Sequence, residues 1–516
     1  MSAMFHKKVL PPSKQLRVYS KGNVDLISKL PECLLLNILC FLPVSDLVRT
    51  SVLSKGWRYL WNQIPNLDFD QYLFINCLHV NVLSSGCSCQ CHERKIGKFA
   101  EFIDQMLLFH HGHTILKFRL SFCFNEHFRY TERIDRWVCY ALTNKVHELI
   151  LDFSVCYTWS FLHNFVPYHM PHHPFAAPVR LTVLKLHFCE FNFSSFEALS
   201  LLRSLFLRRV VVLDGSIGLL IASCPLLQDL SLESCHLPDK FMNHPLDLKL
   251  KTLTVENCRI NGLVNPQVEG ARWIDLMSSN RPVDSFEISA PNLLSFKFCG
   301  ESICKLSLKS MSRLVDAEIS IDQGSVLPGQ SKILHKLLKQ LDHAQALTLC
   351  SWFIQVLPLE GNQQSLATPL DNLKHLKLKV GLDGLEFLGM ACLLSSARNL
   401  ESLVLTMGDF ACIIWDYLDI EVLNVFNYDD GLYWDSQMLC FNCLKKIEIY
   451  RFSGRKQVMD MIKFLLKNSV VLENVIICSD KKIYSDTKPE YDDTSRLQIE
   501  LNSFHRASPR AKILFL

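Results

Sequence analysis

The sequence predicts an α/β chain: three short helices at the N-terminus, then an irregular solenoid with a parallel sheet inside and helices outside, closed by an α/β cap. Three observations carry this. An apolar-x-x-apolar-x-apolar signature recurs along the chain at steps often between about 20 and 30 residues, the period of stacked repeat units. The intervals between signatures show helical periodicity. No Gly-rich phosphate loop follows any candidate strand, which argues against a doubly wound nucleotide-binding sheet.

The head is residues 25–62. Pro31 suits a first helical turn, where the missing N–H costs nothing. Leu34, Leu35, Ile38, Leu39 and Leu42 recur at helical spacing and make one apolar stripe, and Pro43 ends the helix. Ser45 can cap a second helix with Leu47, Val48, Ser51 and Val52 on one face. Ser54 can cap a third, carrying Trp57, Leu60 and Trp61 at i, i+3, i+4. So short a unit cannot bury that many large apolar groups alone, so its leftover stripe needs a partner.

The signature begins at Ile64/Leu67/Phe69 and recurs fifteen times. It is seen at Ile115/Phe118/Leu120, Val146/Leu149/Leu151, Leu181/Leu184/Leu186, Leu202/Leu205/Leu207, Leu227/Leu230/Leu232 and Leu250/Leu253/Val255. It continues at Leu293/Phe296/Phe298, Ile303/Leu306/Leu308, Leu314/Ala317/Ile319, Ala344/Leu347/Leu349, Leu373/Leu376/Leu378 and Leu400/Leu403/Leu405. Ile420/Leu423/Val425, Leu444/Ile447/Ile449 and Leu472/Val475/Ile477 complete it. The last two positions alternate as a strand whose apolar side chains point inward; the first turns the chain into that strand. Helices are expected over 98–109, 134–142 and 218–227. Each unit therefore reads as helix, turn, strand, which is the pattern of leucine-rich repeats. At the C-terminus, 440–479 reads strand, turn at Phe452-Ser453-Gly454, helix, strand, with Val458, Met461, Ile462 and Leu465 on the helix's apolar face.

Residues 25–61 resemble an F-box, the module that docks receptors onto the Skp adaptor of cullin-based ubiquitin ligases. The resemblance rests on Leu30-Pro31-Glu32, Leu34-Leu35, Ile38-Leu39, Leu42-Pro43, Asp46-Leu47, Arg49 to Lys55, and Trp57 to Trp61. It departs at Gly56, a mild substitution of about 1 kcal/mol at most in a first turn. Residues 440–516 resemble the FBD module of plant F-box proteins, and the order of parts is that of the plant F-box/leucine-rich-repeat/FBD family. The resemblance implies four segments: a disordered basic leader at 1–24, an F-box at 25–62, a leucine-rich-repeat solenoid at 63–439 and a cap at 440–516. It also implies a substrate-recognition subunit of an SCF ubiquitin ligase, with a Skp-family adaptor, a cullin held through it, and a protein substrate as partners. The adaptor-binding residues expected from it are Leu30, Pro31, Leu34, Leu35, Ile38, Leu39, Leu42, Leu47, Val52, Trp57 and Leu60. A leucine-rich-repeat scaffold acting outside any ligase is the alternative.

Composition limits other functions. A formal net charge of +3 sets up no strong field for nucleic acid or an anionic membrane. No run of eighteen apolar residues predicts a membrane span, and the N-terminus lacks a secretory apolar core, so a nuclear or cytoplasmic, non-secreted protein is expected. The basic first residues read as a solvated leader, with a nuclear signal as the alternative. The 21 cysteines are scattered; Cys189, Cys235, Cys258 and Cys299 sit in strand-like runs, as reduced core thiols do. Cys87, Cys89 and Cys91 with His92 could converge on a metal if extended, with His110, His111 and His113 as further ligands, but the one-residue spacing is too short for the usual zinc knuckle. The tract from Tyr168 to Pro174, with His169, His172 and His173, reads as a surface loop. Neither metal nor cofactor is expected, and with no triad order or nucleophile elbow in sight, no enzyme active site is expected.

Overall fold

The computed structural model describes residues 27–75, 90–111, 114–122, 130–154, 167–170, 180–191, 199–212, 219–220, 223–237, 249–260, 281–282, 285–300, 305–309, 311–321, 329–359, 366, 369–382, 384–408, 433–434, 437–479 and 493–516. The leader, the Ile420 triplet, Cys87, Cys89, His113, His172 and His173 lie outside these.

Among the described residues one sheet holds fifteen strands. Its strands follow chain order: Asn66–Asp70, Lys117–Ser121, Glu148–Asp152, Val183–His187, Ser204–Arg208, Asp229–Glu233, Thr252–Glu256, Ser295–Gly300, Asp316–Ile321, Ala346–Leu349, His375–Val380, Ser402–Met407, Lys446–Phe452, Asn474–Ser479 and Lys512–Phe515. Every neighbouring pair is parallel, and the signatures stand in register: Leu376 lies beside Leu347 and Leu403, for example. The paired apolar positions are buried and the alternate ones open to solvent, because successive strand side chains take opposite faces. Hence one face is core and the other is an open surface. The sheet continues without a break past 439/440, since the strands of the C-terminal segment extend it.

Three expectations are corrected. Ile303/Leu306/Leu308 satisfies the signature, but among the described residues its strand Lys305–Lys309 pairs only with Ser285–Ser289, in a separate two-stranded sheet. There Leu306 and Leu308 are buried, and the Leu308 amide donates to Gln340 Oε1 at 2.9 Å. Between 168 and 282 the described chain turns from each main strand into a short strand of a second, six-stranded sheet rather than directly into a helix. The corner residues Phe188, Arg209, Ser234 and Asn257 take left-handed backbone, φ 59, 50, 52 and 49°, which aims each amide at a carbonyl of the next unit. Finally, Cys189, Cys235 and Cys258 do follow those corners as core-side thiols, each Sγ donating to the carbonyl two residues back at 3.5 Å, whereas Cys299 lies on the open face.

Helices pack on the core side. The first long one, Gln90–Phe109, starts earlier than the expected 98, so Cys91 and His92 are helical rather than extended. Thr131–Thr143 buries Ile134, Trp137, Val138 and Ala141 as its periodicity predicts. At 218–227 only Leu219, Leu220 and Ser223 are described as helical. Gly389 allows the helices Ser351–Val356 and Gly384–Ser396 to cross in contact: a Cβ there would stand 2.0 Å from the Ile354 carbonyl oxygen. Lys456–Asn468 buries Val458, Met461, Ile462 and Leu465, and Phe464 meets Trp434 at 5.0 Å between ring centroids.

Candidate functional site

The head is built from α1 (Glu32–Leu39), α2 (Val44–Thr50) and a 3-10 turn at Leu60–Gln63. Pro31 stands at the N-cap of α1 rather than inside its first turn, and its carbonyl accepts the amides of Leu34 and Leu35 at 2.9 and 3.1 Å. Pro43, not Ser45, occupies the N-cap of α2, so Ser45 is inside the helix. The third helix is a run of i→i+3 turns: Trp57 N–H donates to Ser54 O and Asn62 N–H to Tyr59 O. The tighter 3-10 winding still turns Trp57, Leu60 and Trp61 to one side. Trp57 Nε1 is held by Ser28 Oγ at 2.8 Å, and Gln63 Nε2 donates to Glu32 Oε1 at 3.0 Å, tying the turn to the start of α1.

The expected adaptor-binding residues divide into two sets. Leu35, Leu39, Leu47, Trp57 and Leu60 are buried in the chain's own core, together with Ile64 and Leu67 of the first repeat. Of these, Leu35 and Leu39 stand four residues apart on the buried side of α1. Leu30 is half-buried against that same core. Pro31 is exposed, as are Leu34 (46%), Ile38 (44%), Leu42 (39%) and Val52 (84%). Beside them Phe41 (89%) and Leu53 (66%), which sequence reasoning did not single out for docking, are exposed as well. Their signal was legible: both are large apolar residues at the turns that end α1 and α2.

The head and the repeats meet at His110. Its imidazole is buried, with Nε2 2.9 Å from Ile64 O and Nδ1 3.1 Å from the Tyr140 hydroxyl. Because a carbonyl only accepts, Nε2 carries a proton and donates it to Ile64 O, and the Tyr140 hydroxyl also donates to His110 O at 3.4 Å. His111 N–H donates to Asn62 O at 2.8 Å and Leu116 N–H to Pro65 O at 2.8 Å, so the loop stitches onto the end of the head. His110 is thus a joint between two elements and is already engaged on both ring nitrogens. Burial lowers its pKa, the Ile64 carbonyl works against that, and His111 adds to the lowering. A folded pKa below the unfolded one means stability is full above the unfolded value and is lost as pH falls beneath it. Denaturation midpoints measured at pH 7.5 and 5.5 should therefore fall more for wild type than for His110→Gln, which keeps a donor toward Ile64 but cannot titrate. Equal falls for both proteins would contradict this.

The open face of the sheet is the second surface. Its charges are mostly joined across strands. Arg119 reaches Asp68 and Asp70, both at 2.8 Å; Lys185 reaches Glu148 at 3.2 Å; Arg208 reaches Glu233 at 3.1 Å. Glu256, Lys297, Glu318 and Lys379 form a chain with separations of 2.6, 3.8 and 3.0 Å. Asp152 lies beside His187 at 3.6 Å and accepts from the Ser154 amide; burial would raise its pKa, but these donors hold it at about 2. A cavity of about 620 Å³ at the strand starts is lined by Asn372, Lys374, Asn399, Glu401 and Lys445, and Glu401 pairs there with Lys445 at 3.0 Å. His169, expected in a loop, lies in the short strand Tyr168–His169 with Nδ1 2.9 Å from Glu190. Among the described residues no three His, Cys, Asp or Glu side chains gather as metal ligands would. Burial pushes the Cys392 and Cys224 thiols up to about 11 and about 12, away from nucleophilic thiolates. No described helix is long and apolar enough to cross a membrane.

Comparison with known proteins agrees with this geometry. Residues 106–507 match the family described as At1g61320/AtMIF1, LRR domain, and residues 27–68 match the F-box domain family. The F-box/FBD/LRR-repeat protein At1g13570 of Arabidopsis thaliana is 28% identical over 95% of this chain and 98% of its own length. The F-box/FBD/LRR-repeat protein At1g78750 is 24% identical over 98% and 99%, and the FBD-associated F-box protein At5g22730 is 26% identical over 89% of each, both from the same plant.

Proposed function

The chain belongs to the plant F-box/leucine-rich-repeat/FBD family, and on that premise we propose that it is the substrate-recognition subunit of an SCF (Skp-cullin-F-box) ubiquitin ligase. The observation that carries this is the split in the head. One side of α1 is spent on the chain's own core, while Leu34, Ile38, Phe41 and Leu42 are left in solvent on the other. A patch of large apolar side chains on a small helical unit is what a docking interface looks like before its partner arrives. The partner proposed is a Skp-family adaptor, through which a cullin is held. The open face of the repeats then captures the protein to be modified. The subunit performs no chemistry itself: tethering raises the substrate's local concentration at the ubiquitin-loaded enzyme and makes transfer effectively intramolecular.

Size-exclusion chromatography of the purified chain with a plant Skp-family adaptor and a cullin tests the proposal. A ternary complex that needs the adaptor is the expected result. A complex with adaptor that never accepts the cullin would instead favour a scaffold acting outside a ligase.

A further inference from the structure

The open face changes character toward the C-terminus. Up to the strand His375–Val380 its acidic and basic residues mostly pair with one another. On the last strands, beyond the Lys446–Glu448 pair, large uncharged side chains stand on that face: Tyr450 is 39% exposed, Leu514 46% and Leu516 71%, with Ile476 half-buried beside Leu514. Ile476 and Leu514 are in register, so they form one apolar row at the end of the sheet.

That end is also a backbone edge. Lys512–Phe515 pairs on its inner side with Asn474–Ser479, and the sheet order stops there among the described residues. Lys512 N–H donates inward to Glu473 O at 2.9 Å and Leu516 N–H to Ile477 O at 2.8 Å. In a parallel ladder the inward-bonding residues alternate, so the N–H and C=O groups of Ile513 and Phe515 face outward. Unpaired strand edges of this kind accept a further strand. Arg510 and Lys512 are both exposed at the start of this edge and form no ion pair with a described residue.

We propose that this corner captures the client protein: an extended client segment adds as a strand beside Lys512–Phe515. Its backbone bonds to Ile513 and Phe515, its alternate apolar side chains rest against Leu514 and Leu516, and an acidic residue meets Arg510 and Lys512. This rests on reading the chain as a substrate receptor, and it names the chemistry of the segment received: alternating apolar, acidic at one end, extended.

The test is selection of random peptides of about twelve residues on the intact full-length chain. Enriched peptides should share alternate Leu, Ile or Phe with adjoining Asp or Glu. Leu514→Glu should weaken their binding about tenfold or more, as loss of a central anchor does, while thermal melting and adaptor affinity stay at wild-type values. Lys512→Glu should remove the preference for acidic residues. Should Leu514→Glu fail to fold, the same peptides N-methylated at their edge-facing amides serve in its place, and they should not bind the wild type. No enrichment, or binding indifferent to both Leu514→Glu and N-methylation, overturns the proposal. So does a second copy of this chain on the edge, seen as a dimer in ultracentrifugation that Leu514→Glu abolishes. Failure of the wild type to bind any adaptor would sink the ligase reading and leave the peptide result standing.

Discussion

Leu376→Asp is expected to unfold the C-terminal half of the solenoid, and Leu184→Asp to do the same nearer the head. Leu376 is 1% exposed and Leu184 0%, each locked in register between leucines of the neighbouring strands. An aspartate there leaves a cavity and buries a carboxylate with no cation beside it, which costs several kcal/mol. A repeat contacts only its neighbours, so the damage should spread to the units on either side before it reaches the ends. The control lies one residue away. Lys377 stands on the open face of the same strand, between Thr348 and Val404. Lys377→Ala should change stability by no more than about 0.5 kcal/mol. Circular dichroism melts of the three variants decide the matter. Equal melting of Leu376→Asp and Lys377→Ala would refute the assignment of faces.

That contrast also shows why the sheet was legible. A parallel strand covered on one side leaves a period-two pattern, and stacking repeats it at each unit, so one signature located fourteen of the fifteen main strands. The strand it missed, Lys512–Phe515, is the edge. Arg510 stands where the first apolar residue would be; instead Ser508 and Ala511 are buried at the turn, Ser508 Oγ donating to Leu472 O at 2.7 Å. An edge strand is half in solvent and is under weaker demand to be apolar. The false positive at Ile303 has the converse cause: a local signature records that a strand is buried on one side, not which sheet it joins. The apolar stripe of the head was only half legible. Spacing groups Leu34, Leu35, Ile38, Leu39 and Leu42 together, but one helix can offer two adjacent apolar faces, and only the packed structure shows that Leu35 and Leu39 turn inward. Sequence reasoning offered His110 only as a candidate metal ligand; its role as a joint was not legible, because its partners Ile64 and Tyr140 are 46 and 30 residues away.

The same division makes the adaptor interface testable without confusing binding with folding. Leu34→Ala combined with Ile38→Ala removes two exposed side chains from α1 and leaves the core face intact. Stable docking interfaces hide on the order of 1,600 Å² in total, and a few large residues near the centre carry most of the energy. The double variant should therefore bind a purified plant Skp-family adaptor about 2–4 kcal/mol more weakly, or roughly 30- to 1,000-fold, with little change in melting. Leu39→Ala is the counterpart. Leu39 is 0% exposed and belongs to the core shared with Ile64 and Leu67. Its truncation should cost about 2–5 kcal/mol of stability, and the loss should reach the first repeats because head and solenoid share that core. Once folded, Leu39→Ala should dock nearly as well as wild type. Calorimetric titration with the adaptor, beside thermal melts of all three proteins, separates the outcomes. Wild-type affinity in the double variant would place the docking surface elsewhere, with Val52, Leu53 and the end of α2 next to be tried.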